Sequence, residues 1–199
     1  SDGDITFNVT GFSNYTTTNG LPHHDVWAVL EDMQGNIWLG TYGGGLCRFD
    51  GETFRTFDTV DGLPDNSVRS LSEDEAGNIW IGTHNGLSKF DGRTFTNYTK
   101  THGLLDANIN FIYEDNHGII WTGTSGGGLS YMLPQQGAGS ETVPEFHTFT
   151  MADGLPHDIV LSMVQDAHGR YWIGTEGGLA VFELTGKPGD FSMHCSEFT

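Results

Sequence analysis

One pattern recurs four times in this sequence, and it limits the chain to a repeat architecture. Each copy opens on Gly-Leu, at Gly20, Gly62, Gly103 and Gly154. A tryptophan follows each opening glycine after eighteen residues, at Trp38, Trp80, Trp121 and Trp172. The tryptophans are therefore 42, 41 and 51 residues apart. A period of about 40 residues is typical of proteins in which one supersecondary unit stacks on the next.

Each copy is predicted to form four short β-strands. In the second copy these strands are 68–72, 79–83, 86–90 and 95–99, separated by turn-forming Asp, Asn and Gly residues. Their β-branched and aromatic residues suit a pleated sheet, and no segment shows the helical period of about 3.6 residues. One such unit cannot cover both of its faces, so neighbouring units must pack face to face. The sequence therefore predicts an all-β fold, a β-propeller of four four-stranded blades.

The whole chain, residues 1–199, is predicted to be one propeller domain that is closed by a terminal strand. Two segments compete for the closing position, an N-terminal strand at 5–16 and a C-terminal strand at 191–198. Either the closing blade has an extra strand, or one of the two pairs with a neighbouring chain. Two chains that build a larger ring are a further arrangement. The Gly- and Gln-rich insert at 134–144 is expected to be an exposed loop.

Composition excludes several classes of partner and chemistry. Acidic residues outnumber basic ones by 26 to 8, giving a net charge of −18 that disfavours nucleic acid and anionic membranes. No apolar run approaches the roughly 20 residues of a membrane span, so membrane insertion is not expected. Two cysteines cannot form a disulfide framework or a zinc cluster. The sequence contains no G-x-S-x-G, H-E-x-x-H or phosphate-binding glycine loop, and no catalytic residue is predicted.

The loops at one end of the blades are the predicted binding face. In a propeller, the loop leading into each blade and the loop between its second and third strands open on the same side. The positions after the second strands differ sharply between copies: Tyr42, His84, Ser125 and Glu176. The lead-in loops add His24, Asn66 and Asp158, preceded in the repeat by His23, Asp65, Asp106 and His157.

Three interpretations of these residues remain open. They are solvated turn residues, for which Asp, Asn and Ser are suited. Alternatively, they form a shallow polar site for a carbohydrate or similar neutral ligand, in which Tyr42 and His84 stack or hydrogen-bond. In the third, a cation near the propeller axis is bound by four ligands, and no other cofactor is expected. These ligands would be His23, Asp65, Asp106 and His157. The four aspartates Asp32, Asp74, Asp115 and Asp166 are predicted to hold turns through the backbone two residues on.

The repeat also carries a family resemblance over roughly residues 12–183. The pattern G-L-P-x-N-x-V, E-D-x-x-G-N-I-W-I-G-T and G-G-L-x-x-F-D resembles the two-component regulator propeller repeat. In that family, such repeats build the periplasmic sensor part of hybrid two-component systems, often linked to recognition of polysaccharide fragments. The resemblance implies an extracellular or periplasmic, non-catalytic module that binds a ligand, such as a carbohydrate, or a protein.

Two alternatives come from other functional classes. A structural subunit would self-associate into oligomers or filaments by exchanging a terminal strand. An enzyme is the other alternative, because a propeller lyase that opens cyclic antibiotics has similar blades.

Overall fold

The computed structural model describes residues 11–133, 144, 146–185 and 192–195, and these contain sixteen β-strands. The first blade consists of β1 (Val26–Glu31), β2 (Ile37–Thr41), β3 (Leu46–Phe49) and β4 (Phe54–Phe57). The second consists of β5 (Val68–Glu73), β6 (Ile79–Thr83), β7 (Gly86–Phe90) and β8 (Phe95–Tyr98). The third consists of β9 (Ile109–Glu114), β10 (Ile120–Thr124), β11 (Leu129–Met132) and β12 (Phe146–Phe149). The fourth consists of β13 (Val160–Gln165), β14 (Tyr171–Thr175), β15 (Gly178–Thr185) and β16 (Ser192–Cys195).

The predicted all-β architecture of four four-stranded sheets is confirmed. Each sheet is an antiparallel meander whose strands are hydrogen-bonded in chain order. Short 3-10 turns precede three of the blades, at Thr17–Asn19, Lys100–His102 and Met151–Asp153. Within the described part of the chain, no helix has the length and apolar character needed to cross a bilayer.

The C-terminal candidate, not the N-terminal one, supplies the fourth strand of the fourth blade. β16 lies within the predicted 191–198 segment and pairs with β15, with Cys195 opposite Phe182. In the first three blades the outer strand begins at the equivalent position, with Phe54 opposite Phe49, Phe95 opposite Phe90 and Phe146 opposite Met132, whereas β16 ends there. Of the predicted N-terminal strand, residues 11–16 form no strand, and residues 5–10 lie outside the described residues. Closure of a ring by a terminal strand stays a prediction.

Each of the first three blades packs its tryptophan-bearing face on the next blade. At the first interface, Trp38 and Leu46 pack in one cluster with Val68 and Ile81 of the second blade. Trp80 at the second interface and Trp121 at the third are buried in the same way. The repeated tryptophan is therefore the large apolar body of the blade interface, as its period indicates.

An aspartate in the preceding turn is hydrogen-bonded to each tryptophan. The indole Nε1–H of each Trp donates to the carboxylate of the Asp six residues earlier, at 2.7 Å, 2.9 Å, 2.9 Å and 3.0 Å along the chain. The other carboxylate oxygen accepts the backbone N–H groups two and four residues on, as at His117 and Ile119 for Asp115. The predicted turn role of these aspartates is thus confirmed, and the indole bond is an addition that the sequence did not reveal.

A groove of about 430 Å³ opens between the second and third blades, at the end of the strands opposite the lead-in loops. Glu114, Asp74, Glu75 and His117 are among the residues that line it. Burial, together with the negative charges of Asp74, Glu75 and Asp115, raises the pKa of Glu114 to about 6. The groove is therefore acidic, and one of its carboxyl groups binds a proton unusually readily.

We expect replacement of Asp115 by Ala to be the most destabilising of the four aspartate substitutions. Asp115 is buried and accepts, besides Trp121, the hydroxyl of Tyr171 in the next blade at 2.7 Å. Asp115→Ala would leave the two side-chain donors and two backbone donors unpaired, lowering the free energy of unfolding by about 3 kcal/mol or more. Chemical denaturation measures this change. Asp166→Ala, in the fourth blade, is the matched control. An equal loss of unfolding free energy in both variants would contradict the role of the Tyr171 bond.

Glu114 should make stability depend on pH between about 4.5 and 6. Because its folded-state pKa lies above the usual 4.5, the fold favours the protonated form. The stabilising contribution is present below the unfolded pKa and is lost as the pH rises through about 6. Glu114→Gln, which resembles the protonated form, should gain about 1 kcal/mol over the native chain between pH 4 and pH 7, after allowance for solvent screening. Denaturation at several pH values tests this, with Glu52→Gln in an exposed turn as the control. A pH-independent difference would contradict it.

Candidate functional site

Three exposed or half-buried rings meet where the first and second blades adjoin. The structure brings the predicted Tyr42 and His84 within 6.2 Å of each other, between ring centroids. Trp27 lies against both, 4.7 Å from Tyr42 and 5.5 Å from His84. Trp27 is 43% exposed and Tyr42 is 46% exposed, so their ring surfaces remain accessible. Large aromatic groups in such numbers on a surface are typical of binding sites.

Two histidines of the first lead-in loop extend this surface. The ring of His23 stacks on that of His24 at 4.4 Å and lies 6.3 Å from Tyr42. The guanidinium of Arg69, from the second blade, lies 5.9 Å from the Trp27 ring. These contacts join residues from two blades into one surface. We name it the aromatic cluster, and it consists of His23, His24, Trp27, Tyr42 and His84.

A β-bulge places Trp27 in the cluster. Val26 pairs with Thr41 and Ala28 with Gly40, so Trp27 is an extra residue without a partner position on β2. The same shift occurs in the first strand of every blade, and the extra residues are Trp27, Arg69, Asn110 and Leu161. Bulges often redirect a side chain beside a functional site. Sequence reasoning missed Trp27, although the signal was present: this repeat position varies between four chemically unlike side chains.

The remaining predicted ligand-binding residues have other described contacts. Ser125 donates to the side-chain oxygen of Asn110 at 2.9 Å. Asn66 accepts the Thr59 backbone N–H at 3.0 Å, and Asp158 accepts that of Met151 at 2.7 Å, so both side chains hold their own lead-in loops. Glu176 is exposed in the fourth blade. The structure thus gathers Tyr42, His84 and His24, and leaves these four outside the aromatic cluster.

The four residues predicted to bind a cation are acceptors within their own loops. His23 and His157 accept the backbone N–H two residues on through Nδ1, at 3.1 Å and 3.0 Å. Asp65 accepts the N–H of Ser67 at 2.7 Å, and Asp106 accepts that of Ala107 at 2.8 Å. The repeat of His and Asp at this position therefore reflects a local turn, for which a side-chain acceptor is needed.

The structure does not bring those four side chains together as ligands. Within the described residues, which include all of them, the one group of this kind close enough to share an ion is His23, His24 and Asp25. The rings of His23 and His24 are stacked, only 21° from parallel. Imidazole lone pairs lie in the ring plane, so two stacked rings cannot direct them at one ion. We therefore assign no metal to this loop.

The comparison with known protein families matches a segment of each of the four repeats. The two component regulator propeller family matches residues 20–43, 62–85, 103–126 and 154–177. No curated protein matches the chain. Among solved structures, the extracellular domain of a hybrid two component system of B. thetaiotaomicron superposes with a TM-score of 0.73 at 25% identity. That match covers 86% of this chain and 23% of the other.

Two further structures show the range of the fold. A second extracellular domain of a hybrid two component system of B. thetaiotaomicron has a TM-score of 0.70 at 23% identity, covering 90% of this chain and 25% of that one. A virginiamycin B lyase of Staphylococcus aureus has a TM-score of 0.63 at 12% identity, covering 88% and 57%. The chain spans about a quarter of the length of the two extracellular domains. With four matched repeats on four propeller-like sheets, the chain belongs to the two component regulator propeller family.

Proposed function

We propose that this chain is a non-catalytic, extracytoplasmic recognition module that binds a neutral carbohydrate through the aromatic cluster. The observation that carries the proposal is the contact of Trp27 with Tyr42 and His84 on an accessible surface. Flat rings present an apolar face to the C–H groups of a sugar, while ring N–H and O–H groups bond its hydroxyls. The guanidinium of Arg69, 5.9 Å from the Trp27 ring, offers a further polar group at the blade joint.

Charge supports a neutral ligand over an anionic one. The net charge of −18 repels anions at long range, and the one cation described beside the cluster, Arg69, already faces Trp27. Aromatic faces also attract cations, and Asp25 places one carboxylate within 4.8 Å of the His23 and His24 ring nitrogens. The carboxylates of Asp65 and Asp158, however, accept backbone N–H groups of their own loops, so a cationic ligand would meet one acidic side chain at one edge of the cluster. An uncharged, hydroxyl-rich ligand fits this surface best.

The extracellular or periplasmic location and the sensor role rest on the relatives. Two solved relatives are extracellular domains of hybrid two component systems, one of them 25% identical to this chain. A recognition module in such a position meets ligands from outside the cytoplasm. A protein partner on the same surface is the other outcome that this likeness supports.

The lyase alternative has less support. The lyase match is 12% identical and indicates the fold alone. A lyase needs a base free to take a proton, whereas His23 and His157 already use Nδ1 to accept backbone N–H groups. If the chain turned over a cyclic peptide antibiotic, replacing His84 and His157 by Ala should abolish turnover. Turnover left unchanged by both substitutions would exclude these histidines as catalytic residues.

Binding to carbohydrate should depend on Trp27. The native chain is first screened on an array of neutral and acidic oligosaccharides, and the strongest neutral binder is titrated by calorimetry. Trp27→Ala should weaken binding at least about tenfold, because truncating an aromatic anchor removes most of its contact area. Tyr42→Ala should act in the same direction, with a smaller loss.

The matched control is Tyr15→Ala, which removes an exposed ring that packs on Phe49 and Phe54 and not on the rings of the cluster, and it should leave affinity unchanged. Each variant is checked for folding by its thermal transition. Absence of binding to every neutral oligosaccharide, or equal affinity of the Trp27→Ala and native chains, would contradict the proposal.

A further inference from the structure

The fourth blade bears a face that the other three blades bury. In each of the first three blades, a leucine near the start of the third strand is completely buried against the next blade. These leucines are Leu46, Leu87 and Leu129. Their equivalent, Leu179, pairs with Gly174 in the same register and is 60% exposed. Val164 on the same blade is also exposed. This face therefore has the residues of a blade interface without a described blade on it.

The first blade bears the complementary face. The first strands of the second, third and fourth blades begin with Val68, Ile109 and Val160, all of which are fully buried. Their equivalent in the first blade, Val26, is 36% exposed, and Val29 is 67% exposed. This is the side that, in every other blade, receives the tryptophan-bearing face of the blade before it.

Steric fit at two of the three interior joints shows how the two faces would meet; at the third, the atoms nearest to a Cβ on Gly123 belong to Phe111 of its own blade. A Cβ on Gly40 would lie 2.7 Å from a methyl group of Val68, and a Cβ on Gly82 would lie 2.7 Å from a methyl group of Ile109. These glycines are therefore holes that receive the first apolar residue of the next blade. Gly174 has the same position in the fourth blade, and the only atom described near its Cβ direction belongs to its own blade.

A backbone hydrogen bond fixes the same register at each interior joint. The donors are Gly45, Gly86 and Gly128, and the acceptors are the carbonyls of Asn66, Ala107 and Asp158, at 2.8 Å, 2.7 Å and 2.9 Å. By repeat position, Gly178 of the fourth blade corresponds to the donors, and His24 of the first blade corresponds to the acceptors. The donor position of such a joint thus lies on the fourth blade, and the acceptor position lies on the first blade.

We propose that the open face of the fourth blade binds the open face of the first blade in a second copy of this chain, head to tail. Val26 of one copy would fill the space at Gly174 of the other, and Leu179 would pack beside it. Two copies joined twice in this way close a ring, and repetition without closure gives an open chain of copies. The occupant is a second copy because its end carries the apolar, steric and hydrogen-bonding features that this face meets at the interior joints.

The chain's own N-terminal segment defines which part of the first blade the second copy contacts. Tyr15 lies 5.4 Å from both Phe49 and Phe54, between ring centroids. It has the repeat position of Phe57, which packs in the same way on the second blade. The outer end of this face is therefore already covered, and Val26 and Val29 at the inner part remain for the partner. Packing of faces, and not exchange of a terminal strand, is the mode of association.

Sedimentation velocity across a wide range of protein concentrations tests this association. The native chain should form dimers or longer species. Leu179→Asp and Val29→Asp should each weaken association on the order of a hundredfold, since each replaces a buried apolar contact with a charge. Both side chains are exposed in the single chain, so neither substitution should impair folding. Val60→Asp, at an exposed position in the loop between the first two blades, is the control and should associate like the native chain.

Mixing the two variants distinguishes head-to-tail contact from a symmetric one. Each variant keeps one intact face, so a mixture of Leu179→Asp and Val29→Asp chains should form dimers that stop at two copies. Association should also strengthen with salt, because a charge of −18 on each copy is screened over about 10 Å at 0.1 M salt and about 3 Å at 1 M.

Two results would overturn the proposal. A native chain that stays monomeric at all concentrations and salt levels would assign the open faces to further blades of a longer polypeptide. Variants that associate as strongly as the native chain would place the contact elsewhere.

Discussion

The bond between each tryptophan Nε1–H and the aspartate six residues earlier is the constraint on which the rest of this structure depends. One carboxylate both closes a turn and fixes the largest side chain of the blade interface. Such charge-assisted bonds contribute roughly 1.5–3 kcal/mol each when buried. The bond from Trp172 holds the pKa of Asp166 well below its usual range, against the opposing effect of burial. The carboxylate therefore stays charged and the indole stays oriented over the ordinary pH range.

Because this bond fixes one end of each blade, the residues at the opposite end can differ between blades. Once turn and interface are fixed at one end, the bulge residue and the residues after the second strand can change without loss of packing. In the first blade they became Trp27 and Tyr42, and in the third Asn110 and Ser125, which bond each other. The rigid repeat thus carries a variable surface, an arrangement typical of recognition domains.

Periodic and local features could be predicted from the sequence. The strands 79–83 and 86–90 were predicted without error because hairpin chemistry and β-branched residues mark both ends. The indole bonds could not be predicted, because a contact between side chains six residues apart depends on register and not on composition. Trp27 was missed although its repeat position varies between the blades, because the bulge that exposes it also depends on register. The four residues of the predicted cation site are not brought together in the structure, for a similar reason. Equivalent positions such as His23 and Asp65 suggested convergence on an axis, but each side chain satisfies its own loop.

Recognition and self-association meet at the lead-in loop of the first blade, because His24 belongs to the aromatic cluster and also has the repeat position of the acceptors at the interior joints. The aromatic cluster lies at the joint of the first and second blades, both of which a single chain contains. The open faces lie on the first and fourth blades, on which no further blade is described. Capping repeats usually carry polar residues on such a face, whereas these two faces carry the exposed Val29 and Leu179. The strong negative charge keeps such surfaces apart only at a distance, so at short range their apolar area favours contact. Ligand binding should therefore persist in Leu179→Asp chains, which keep the whole aromatic cluster.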